Sequence, residues 1–380
     1  MIAHALSWKS GIGWSKPLAS LPPSADLLLC FGQSELLTSP QGPAAELRRR
    51  YPKAVAAACS TAGEICGTTV GDDGLAVLVL GFSGTRVRGF CASVKSPPES
   101  ERAGAEIGRA LIEPDLRHVL VLSDGLAING SALTAGLRGS LPADVSATGG
   151  LAGDGARFKR TVVGIGDAIG PGQVVGIGFY GPNFRAQHGS AGGWQAFGPK
   201  RRVTKAEANV LYTLDDKPAL SLYKRYLGEL AVDLPGSGLL FPLQLLSDSS
   251  EETGLVRTIL AVDEEKQSLT FAGDLPEGQY VRLMKAGTDA LVEGARTAAE
   301  SPGGPATPGS RAAILVSCVG RKLVLGGRVE EEVEAVLKQL GADVSAAGFY
   351  SYGEICPGGF SNSCELHNQT MTLTVIGEVA

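Results

Sequence analysis

The sequence predicts a mixed α/β fold of two packed domains, built from repeated strand–helix–strand units with glycine-rich strand ends. A short stretch near the start, 58–66, recurs near the end, 348–356, and both copies finish with Gly-Glu-Ile-Cys. An apolar run and then a helical pattern precede each copy in the same order, as expected for copies of one supersecondary element. The 52 glycines of this 380-residue chain cluster at strand ends instead of forming a tract.

The first unit starts with an apolar run at 27–31, which predicts a buried strand. Pro43 suits the first position of the helix predicted at 44–50, and Pro52 ends that helix. The strand after it, 55–61, consists of small residues and leads into the first Gly-Glu-Ile-Cys turn. Residues 1–24 form a lead-in to this unit, and the three prolines within it oppose a long helix there.

A second, weaker copy occupies the middle of the chain. Its apolar run lies at 118–122 and its helical pattern at 127–141. The stretch 148–155 then repeats the glycines and ends near a carboxylate, Asp154. We therefore expect Asp154 to end a strand equivalent to those that carry Glu64 and Glu354.

The rest of the chain divides near Asp216, where a turn containing proline precedes a helix predicted at 219–228. The glycine-rich stretch 189–198 is expected to be a loop, and the Gly/Pro-rich stretch 301–310 a surface linker. The other predicted elements are strands at 75–81, 87–94, 162–165, 174–180, 256–262, 268–272, 280–284, 312–319 and 371–376, and helices at 101–111, 288–299 and 329–340.

Composition and charge disfavour several classes of function. The net charge is −5, and the basic triplets 48–50 and 200–202 are short, so nucleic-acid binding is disfavoured. The sequence has no apolar stretch of about 18 residues and no evident signal peptide, so we expect no membrane span and a cytoplasmic location. The seven cysteines are an odd number, which favours reduced and mostly buried thiols.

Glycine at the repeated strand ends lets a ligand approach the backbone closely. If Glu64, Glu354 and Asp154 converge on one pocket, their carboxylates suit a ligand that carries an amine; alternatively, each caps the backbone of its own turn. The candidate ligand-binding residues are Ser60, Thr61, Gly63, Glu64, Gly150, Asp154, Tyr350, Tyr352, Gly353, Glu354 and Asn368.

The residues at 59–65, 349–355 and 364–370 resemble those of the bacterial FIST family, and the resemblance covers most of the chain. It implies an N-terminal FIST domain at 26–216, a C-terminal FIST domain at 217–376, and a sensory, ligand-binding role in signal transduction. Some family members are heme proteins that sense nitric oxide. The partners implied are a histidine kinase, a chemoreceptor, or a diguanylate cyclase or phosphodiesterase. The sequence shows no kinase, methyl-accepting or cyclase module, so we expect output through a separate partner.

Two alternatives to a metabolite sensor remain open. His367 is the best-placed axial ligand if heme is bound, because it lies beside a Gly/Cys-rich site; it is otherwise a residue that satisfies buried backbone groups. Cys59 or Ser60 beside Glu64 is a candidate nucleophile of a hydrolase or transferase, although no histidine lies nearby in sequence. A zinc site at Cys356, Cys364 and His367 is disfavoured because it lacks a second Cys-x-x-Cys pair. We expect a non-enzymatic sensor for a small ligand such as an amino acid.

Overall fold

A computed structural model describes residues 1–247, 252–300, 310–358 and 361–379. It confirms the mixed α/β class, with strands and helices alternating along most of the chain. No helix in these ranges is both long and apolar enough to cross a membrane. The linker predicted at 301–310 lies outside the described residues except for its last position.

The N-terminal part of the chain contains the first unit and its flanking strands. The lead-in contains no long helix, as predicted, and a full strand lies ahead of its prolines. The elements are β1 (Ile2–Lys9), β2 (Gly13–Trp14), β3 (Leu27–Gly32), α1 (Ser34–Thr38), α2 (Pro43–Arg50), β4 (Val55–Ser60), β5 (Glu64–Cys66), β6 (Thr69–Gly71), β7 (Gly74–Gly81), β8 (Arg86–Ser93) and α3 (Ser100–Leu111).

The second unit follows α3 directly. Its helix begins later than the predicted residue 127, because the Asn129 side chain caps it by accepting the Ala132 N–H at 3.0 Å. The elements are β9 (Leu116–Ser123), α4 (Gly130–Ser140), β10 (Ser146–Leu151), β11 (Val163–Ile165), β12 (Ala168–Gly170), β13 (Gln173–Tyr180) and β14 (Phe184–Ala191).

A β-rich insertion and the third unit complete the chain. The insertion consists of β15 (Gln195–Glu207), β16 (Val210–Leu214), β17 (Lys217–Pro218), α5 (Ala219–Leu227), β18 (Leu243–Leu246), β19 (Glu252–Arg257), β20 (Ile259–Asp263), β21 (Ser268–Phe271) and β22 (Tyr280–Lys285). The third unit, with the helix before it, consists of α6 (Thr288–Glu300), β23 (Arg311–Cys318), α7 (Val319–Leu325), α8 (Val329–Leu340), β24 (Val344–Ser351), β25 (Gly353–Gly358), β26 (Ser361–His367) and β27 (Met371–Glu378). Short 3₁₀ turns lie at Leu18–Ser20, Pro97–Glu99, Gly228–Asp233, Gly236–Leu240 and Gly326–Arg328.

The three units share one strand arrangement. In each, the first strand pairs in parallel with the strand after the helix and antiparallel with the last strand, as in β3 with β4 and β7. The same holds for β9 with β10 and β13, and for β23 with β24 and β27. The middle copy is therefore a true member of the repeat.

The units exchange strands in a cycle. The hairpin β5–β6 of the first unit joins the sheet of the third, beside β24. The hairpin β25–β26 of the third joins the second, beside β10, and β11–β12 of the second joins the first, beside β4. In these pairings Glu64, Glu354 and Val163 occupy the same register position. The prediction that the two Gly-Glu-Ile-Cys strands lie in equivalent elements is confirmed.

The inner faces of these three sheets share one apolar core. Leu29 of the first sheet, Leu120 of the second and Ile314 of the third belong to it, and Phe31 stacks on Phe349 at 5.0 Å between ring centroids. Burial of apolar area on this scale is the main favourable term in folding. The turns that follow β4, β10 and β24 therefore lie at the junctions between units.

A fourth sheet, formed by β15 to β22, has a separate apolar core. The prediction of a loop at 189–198 is wrong. The end of β14 and the start of β15 occupy most of this stretch, and residues 192–194 connect the two strands. Val203 is the single buried residue of β15, so the sequence shows no clear apolar alternation that would predict this strand. Strands β16 and β17 pair across the predicted boundary at Asp216.

Candidate functional site

The first Gly-Glu-Ile-Cys turn is held by its own carboxylate. The Thr61 hydroxyl donates to Glu64 Oε1 at 2.7 Å, and the Gly74 N–H donates to Oε2 at 3.2 Å. Burial raises the pKa of Glu64 to about 7, and these two hydrogen bonds offset only part of that rise. The Glu64 carboxyl group therefore caps this turn and is an unusually weak acid.

The second turn is built in the same way. The Ser351 hydroxyl donates to Glu354 Oε1 at 2.6 Å, and Thr370 donates to Oε2 from its N–H at 3.2 Å and its hydroxyl at 2.9 Å. Glu354 is fully buried, and burial raises its pKa to about 8 despite these donors. Each carboxylate thus binds one hydroxyl donor of its own turn and further donors at the start of the last strand of its unit. This arrangement favours the capping interpretation over convergence on one ligand.

The expectation that Asp154 ends an equivalent strand is wrong. Val163 holds the register position of Glu64 and Glu354, and an apolar residue there has no turn-capping role. Asp154 instead opens a loop, 154–161, that the other two units lack between the corresponding strands. Glycine spacing alone placed the carboxylate near the right turn but not on the right element.

Asp154 organises this loop. Its carboxylate accepts the N–H groups of Phe158 at 2.8 Å, Lys159 at 2.9 Å and Arg160 at 2.9 Å, together with the hydroxyl of Tyr352 from the third unit. Burial acts to raise the pKa of Asp154, but these hydrogen bonds outweigh it and hold the pKa below its usual value. The Phe158 ring stacks on Tyr352 at 4.4 Å between centroids.

Replacing Asp154 by asparagine should loosen the loop and destabilise the protein by about 1–3 kcal/mol, because an amide leaves backbone donors unpaired. Since the folded state lowers the pKa of Asp154, its ionised form stabilises the wild type above the unfolded pKa of about 4, and this stabilisation is lost as the pH falls further. Urea unfolding at pH 7 measures the loss. The exposed Asp144→Asn variant is the control and should change little; equal effects of both variants contradict the assignment.

A pocket of about 410 Å³ lies where the three units meet. The first unit contributes Ala62 and Asp72, the loop of the second contributes Gly155, and the third contributes Val319 and Lys322. We call it the Lys322 pocket. Its volume falls within the usual range for small-molecule sites, and such sites prefer the junctions between structural units.

Lys322 brings a charge to this pocket. Its ammonium donates to the Ala62 carbonyl at 2.9 Å, forms an ion pair with Asp72, and lies 5.6 Å from the centre of the Tyr350 ring. Gly63 has φ of +142°, and a Cβ there would lie 2.6 Å from the Lys322 nitrogen. Glycine is therefore required at this turn for the close approach of the lysine.

A buried charge network supports the floor of the pocket. Tyr350 donates its hydroxyl to Glu332 Oε1 at 2.6 Å, and Arg321 pairs with Glu332 at 2.7 Å. Both charged side chains are fully buried, and Ser317 donates a further hydrogen bond to the carboxylate at 3.0 Å. The ring of Tyr350 is thus fixed beneath the ammonium of Lys322.

The other predicted residues lie in the packed interior around the turns. The hydroxyl of buried Ser60 accepts the Val162 N–H at 2.9 Å. Gly150 lies within the core, where a Cβ would meet Val316 at 2.6 Å, and Gly353 lies opposite Leu151 in the sheet. Fully buried Asn368 has no hydrogen-bond partner for its side-chain amide among the described residues.

Sequence reasoning missed Lys322, Asp72 and Arg321. Lys322 and Arg321 lie one turn into the helix that follows β23, and Asp72 lies in the turn before β7. Residues just after parallel strands often line ligand sites in α/β proteins. Applied to the first strand of each unit as well as to the second, this rule would have pointed to α7, which follows β23.

Comparison with known families agrees with this architecture. A model of the FIST N domain matches residues 26–217, and a model of the FIST C domain matches 219–357. The chain belongs to the FIST family. FIST domains are associated with signal transduction and small-ligand sensing. A comparison with curated proteins gave no match.

The solved structures that match this FIST chain include a hydrolase. It is a cyanuric acid hydrolase from A. caulinodans, with 12% sequence identity over 78% of this chain and 100% of the hydrolase. The TM-score is 0.19, so the likeness carries no argument about fold or activity.

The residues around His367 do not fit the heme that the family resemblance offers as an alternative ligand. His367 is only 4% exposed, its Nε2 lies 3.1 Å from the Cys356 carbonyl, and burial lowers its pKa to about 4. A pocket of about 340 Å³ beside it is lined mainly by glycine and small residues. No phenylalanine, tyrosine or tryptophan is among the described residues that line this pocket, and Phe349 is buried in the central core. A heme needs a wider apolar slot than this.

The candidate nucleophiles of this FIST chain are also poorly placed for attack. Cys59 is fully buried, and burial raises the pKa of its thiol well above the usual value. Ser60 is 1% exposed, and its hydroxyl oxygen accepts a backbone N–H. No hydrogen bond between Ser60 and a histidine, lysine or carboxylate side chain occurs in the described parts of the chain. The arrangement thus gives no support to nucleophilic catalysis at these residues.

Proposed function

We propose that this FIST protein is a sensor for a small zwitterionic metabolite, of which an amino acid is the simplest example. The observation that carries the proposal is the Lys322 pocket, in which a cation and an anion face each other among apolar side chains. An α-amino acid presents the complementary pair, a carboxylate and an ammonium group. The pocket also offers Val70, Val319 and Val329 to an apolar side chain of the ligand.

Separating the Lys322–Asp72 ion pair costs little free energy. Asp72 is 63% exposed and Lys322 is 15% exposed, so solvent screens their attraction. Solvent-exposed ion pairs stabilise a protein by about 0–1 kcal/mol, and the exposure of Asp72 brings this pair close to that class. A ligand carboxylate that takes Lys322 and an ammonium group that takes Asp72 replace one ion pair by two. The amine partner is therefore Asp72, in place of the turn-capping Glu64 and Glu354.

Binding here would change how the units contact one another. The pocket is walled by all three units, and the loop 154–161 reaches it through Gly155 and Ala156. A ligand that bridges these walls favours one arrangement of the units over others, which is the thermodynamic requirement for a signal. We propose that the signal passes to a separate protein, of the histidine kinase, chemoreceptor or cyclic-di-GMP classes that the family implies.

The test is a thermal-shift screen of the purified protein against the L-amino acids, followed by calorimetric titration of those that raise the melting temperature. At a concentration 100 times its dissociation constant, a ligand stabilises the folded state by about 2.7 kcal/mol. Lys322→Met keeps most of the side-chain volume but removes the charge, and should weaken binding by at least about tenfold, the effect of losing one charge-assisted hydrogen bond.

The matched control is Lys338→Met, which removes an exposed lysine from α8. It should leave amino-acid binding unchanged. Binding that survives in Lys322→Met as in Lys338→Met would place the ligand elsewhere. If no amino acid stabilises the wild type, the proposed ligand class is wrong.

A further inference from the structure

A second pocket, which corresponds in part to the Lys322 pocket, lies where the third and second units meet the β-rich insertion. Tyr352 takes the place of Ala62: the Tyr352 N–H donates to the Leu151 carbonyl at 3.0 Å, as the Ala62 N–H donates to the Tyr350 carbonyl at 2.8 Å. Gly125 and Leu126, which follow β9, replace the residues of α7 that follow β23. We call it the Tyr352 pocket.

The two pockets differ in chemistry. Among the described residues that line the Tyr352 pocket, none carries a charge. Its walls are Leu126, Ile128 and Phe271, with the Phe158–Tyr352 stack on one side. The Asn129 side chain, which also lines it, is already bonded to Asp274 at 2.9 Å. A charged ligand would lose its hydration here without gaining a partner.

The Phe158–Tyr352 stack suggests that this pocket is a ligand site and not a gap in the packing. Phe158 is 42% exposed and has φ of +52°, a conformation that bulky residues rarely adopt. Such strain is often found at ligand sites, where the surrounding structure maintains it. Here Asp154 holds the loop by three backbone hydrogen bonds and so keeps the Phe158 ring against Tyr352. The hydrogen bonds of the loop therefore hold the Phe158 ring at the wall of the pocket.

We propose that the Tyr352 pocket binds an uncharged, planar aromatic group of one or two fused rings. The volume of about 220 Å³ suits a ligand of that size. Offset or edge-on contacts with Phe158, Tyr352 and Phe271 supply the affinity, and aromatic contacts of this kind contribute about 0.5–1.5 kcal/mol each beyond burial. The site is distinct from the Lys322 pocket and does not require that an amino acid bind there.

Indole is the probe that tests this proposal, with saturation-transfer NMR and a titration as the readouts. Wild type should bind indole saturably, and bind benzoate and benzylammonium more weakly, because both carry a charge. Phe158→Asn removes the ring, and asparagine tolerates positive φ, so the loop should keep its shape. Leu126→Trp fills the pocket from a residue that is 38% exposed. Each variant should weaken indole binding by about tenfold, or 1.4 kcal/mol.

Two exposed apolar positions outside the pocket give matched controls. Ile12→Asn and Leu230→Trp repeat the chemical changes at side chains that are 79% and 42% exposed, and should bind indole as the wild type does. Lys322→Met should also bind it normally, so failure of the amino-acid proposal does not affect this one. The proposal is overturned if wild type binds no indole saturably, if the charged analogues bind equally well, or if both pocket variants bind indole with wild-type affinity.

Discussion

Replacing Arg321 by methionine should destabilise the protein by about 3–5 kcal/mol, the usual cost of leaving one member of a buried ion pair without its partner. Arg321 donates to Glu332 and to the Leu291 carbonyl at 2.8 Å, and it is fully buried. Without the guanidinium, the donors left to the Glu332 carboxylate among the described residues are the hydroxyl groups of Ser317 and Tyr350. Chemical unfolding of the variant at pH 7 measures the loss.

A second variant separates charge from packing. Arg321→Met combined with Glu332→Gln removes the unpaired carboxylate, so it should recover part of the lost stability. Arg296→Met is the control at an exposed ion pair with Glu293, where the expected loss is below about 1 kcal/mol. If the buried and exposed variants lose similar amounts, the network beneath the Lys322 pocket does not stabilise the fold as described.

Replacing Glu354 by glutamine should make stability less dependent on pH between about 4.5 and 8. In the wild type the unfolded chain ionises this residue near its model value of 4.5, whereas burial keeps it protonated in the folded state up to a pKa of about 8. The folded state therefore binds one more proton in that range, and the free energy of unfolding falls as the pH rises, by up to about 1.4 kcal/mol per pH unit. Glutamine, which does not ionise, removes this contribution.

The geometry favours glutamine as an isosteric replacement. Its amide nitrogen donates to the Ser351 hydroxyl, while its oxygen accepts from Thr370 in place of the carboxylate. We expect the variant to match the wild type near pH 5 and to exceed its stability by several kcal/mol near pH 8.5. Urea titrations across this range provide the measurement.

Two further variants calibrate the pH effect. Glu64→Gln should remove a similar slope over a narrower range that ends near pH 7, because burial raises the pKa of Glu64 only to about 7. Glu334→Gln changes an exposed glutamate of α8 and should leave the slope unaltered. A Glu354→Gln profile parallel to that of the wild type would show that Glu354 is ionised in the folded protein.

The elements with strong local patterns were predictable. Buried strands such as β3 and β23 are continuous apolar runs, and α2 begins at a proline and ends before another. The two carboxylate-capped turns were also accessible, because one hydroxyl donor to each carboxylate lies three residues before it, Thr61 in the first turn and Ser351 in the second. Interactions of this range are encoded in a short segment and do not depend on the rest of the fold.

The site itself depends on contacts that no local pattern contains. Lys322 meets Ala62 across 260 residues of sequence, and Tyr352 meets Asp154 across 198. Both contacts exist because the hairpins of the three units exchange between sheets. The sequence placed Asp154 with Glu64 and Glu354 by glycine spacing, whereas the sheet register gives that place to Val163.

The sequence by itself determined the α/β class, the repeat and the two carboxylate turns, because hydrophobic period, glycine and short-range hydrogen bonds act within a few residues. Only the tertiary structure decided where the charges of Lys322, Asp72, Arg321 and Glu332 lie relative to those turns. Side-chain direction and burial depend on which strand pairs with which, and in this fold the deciding pairs belong to different units.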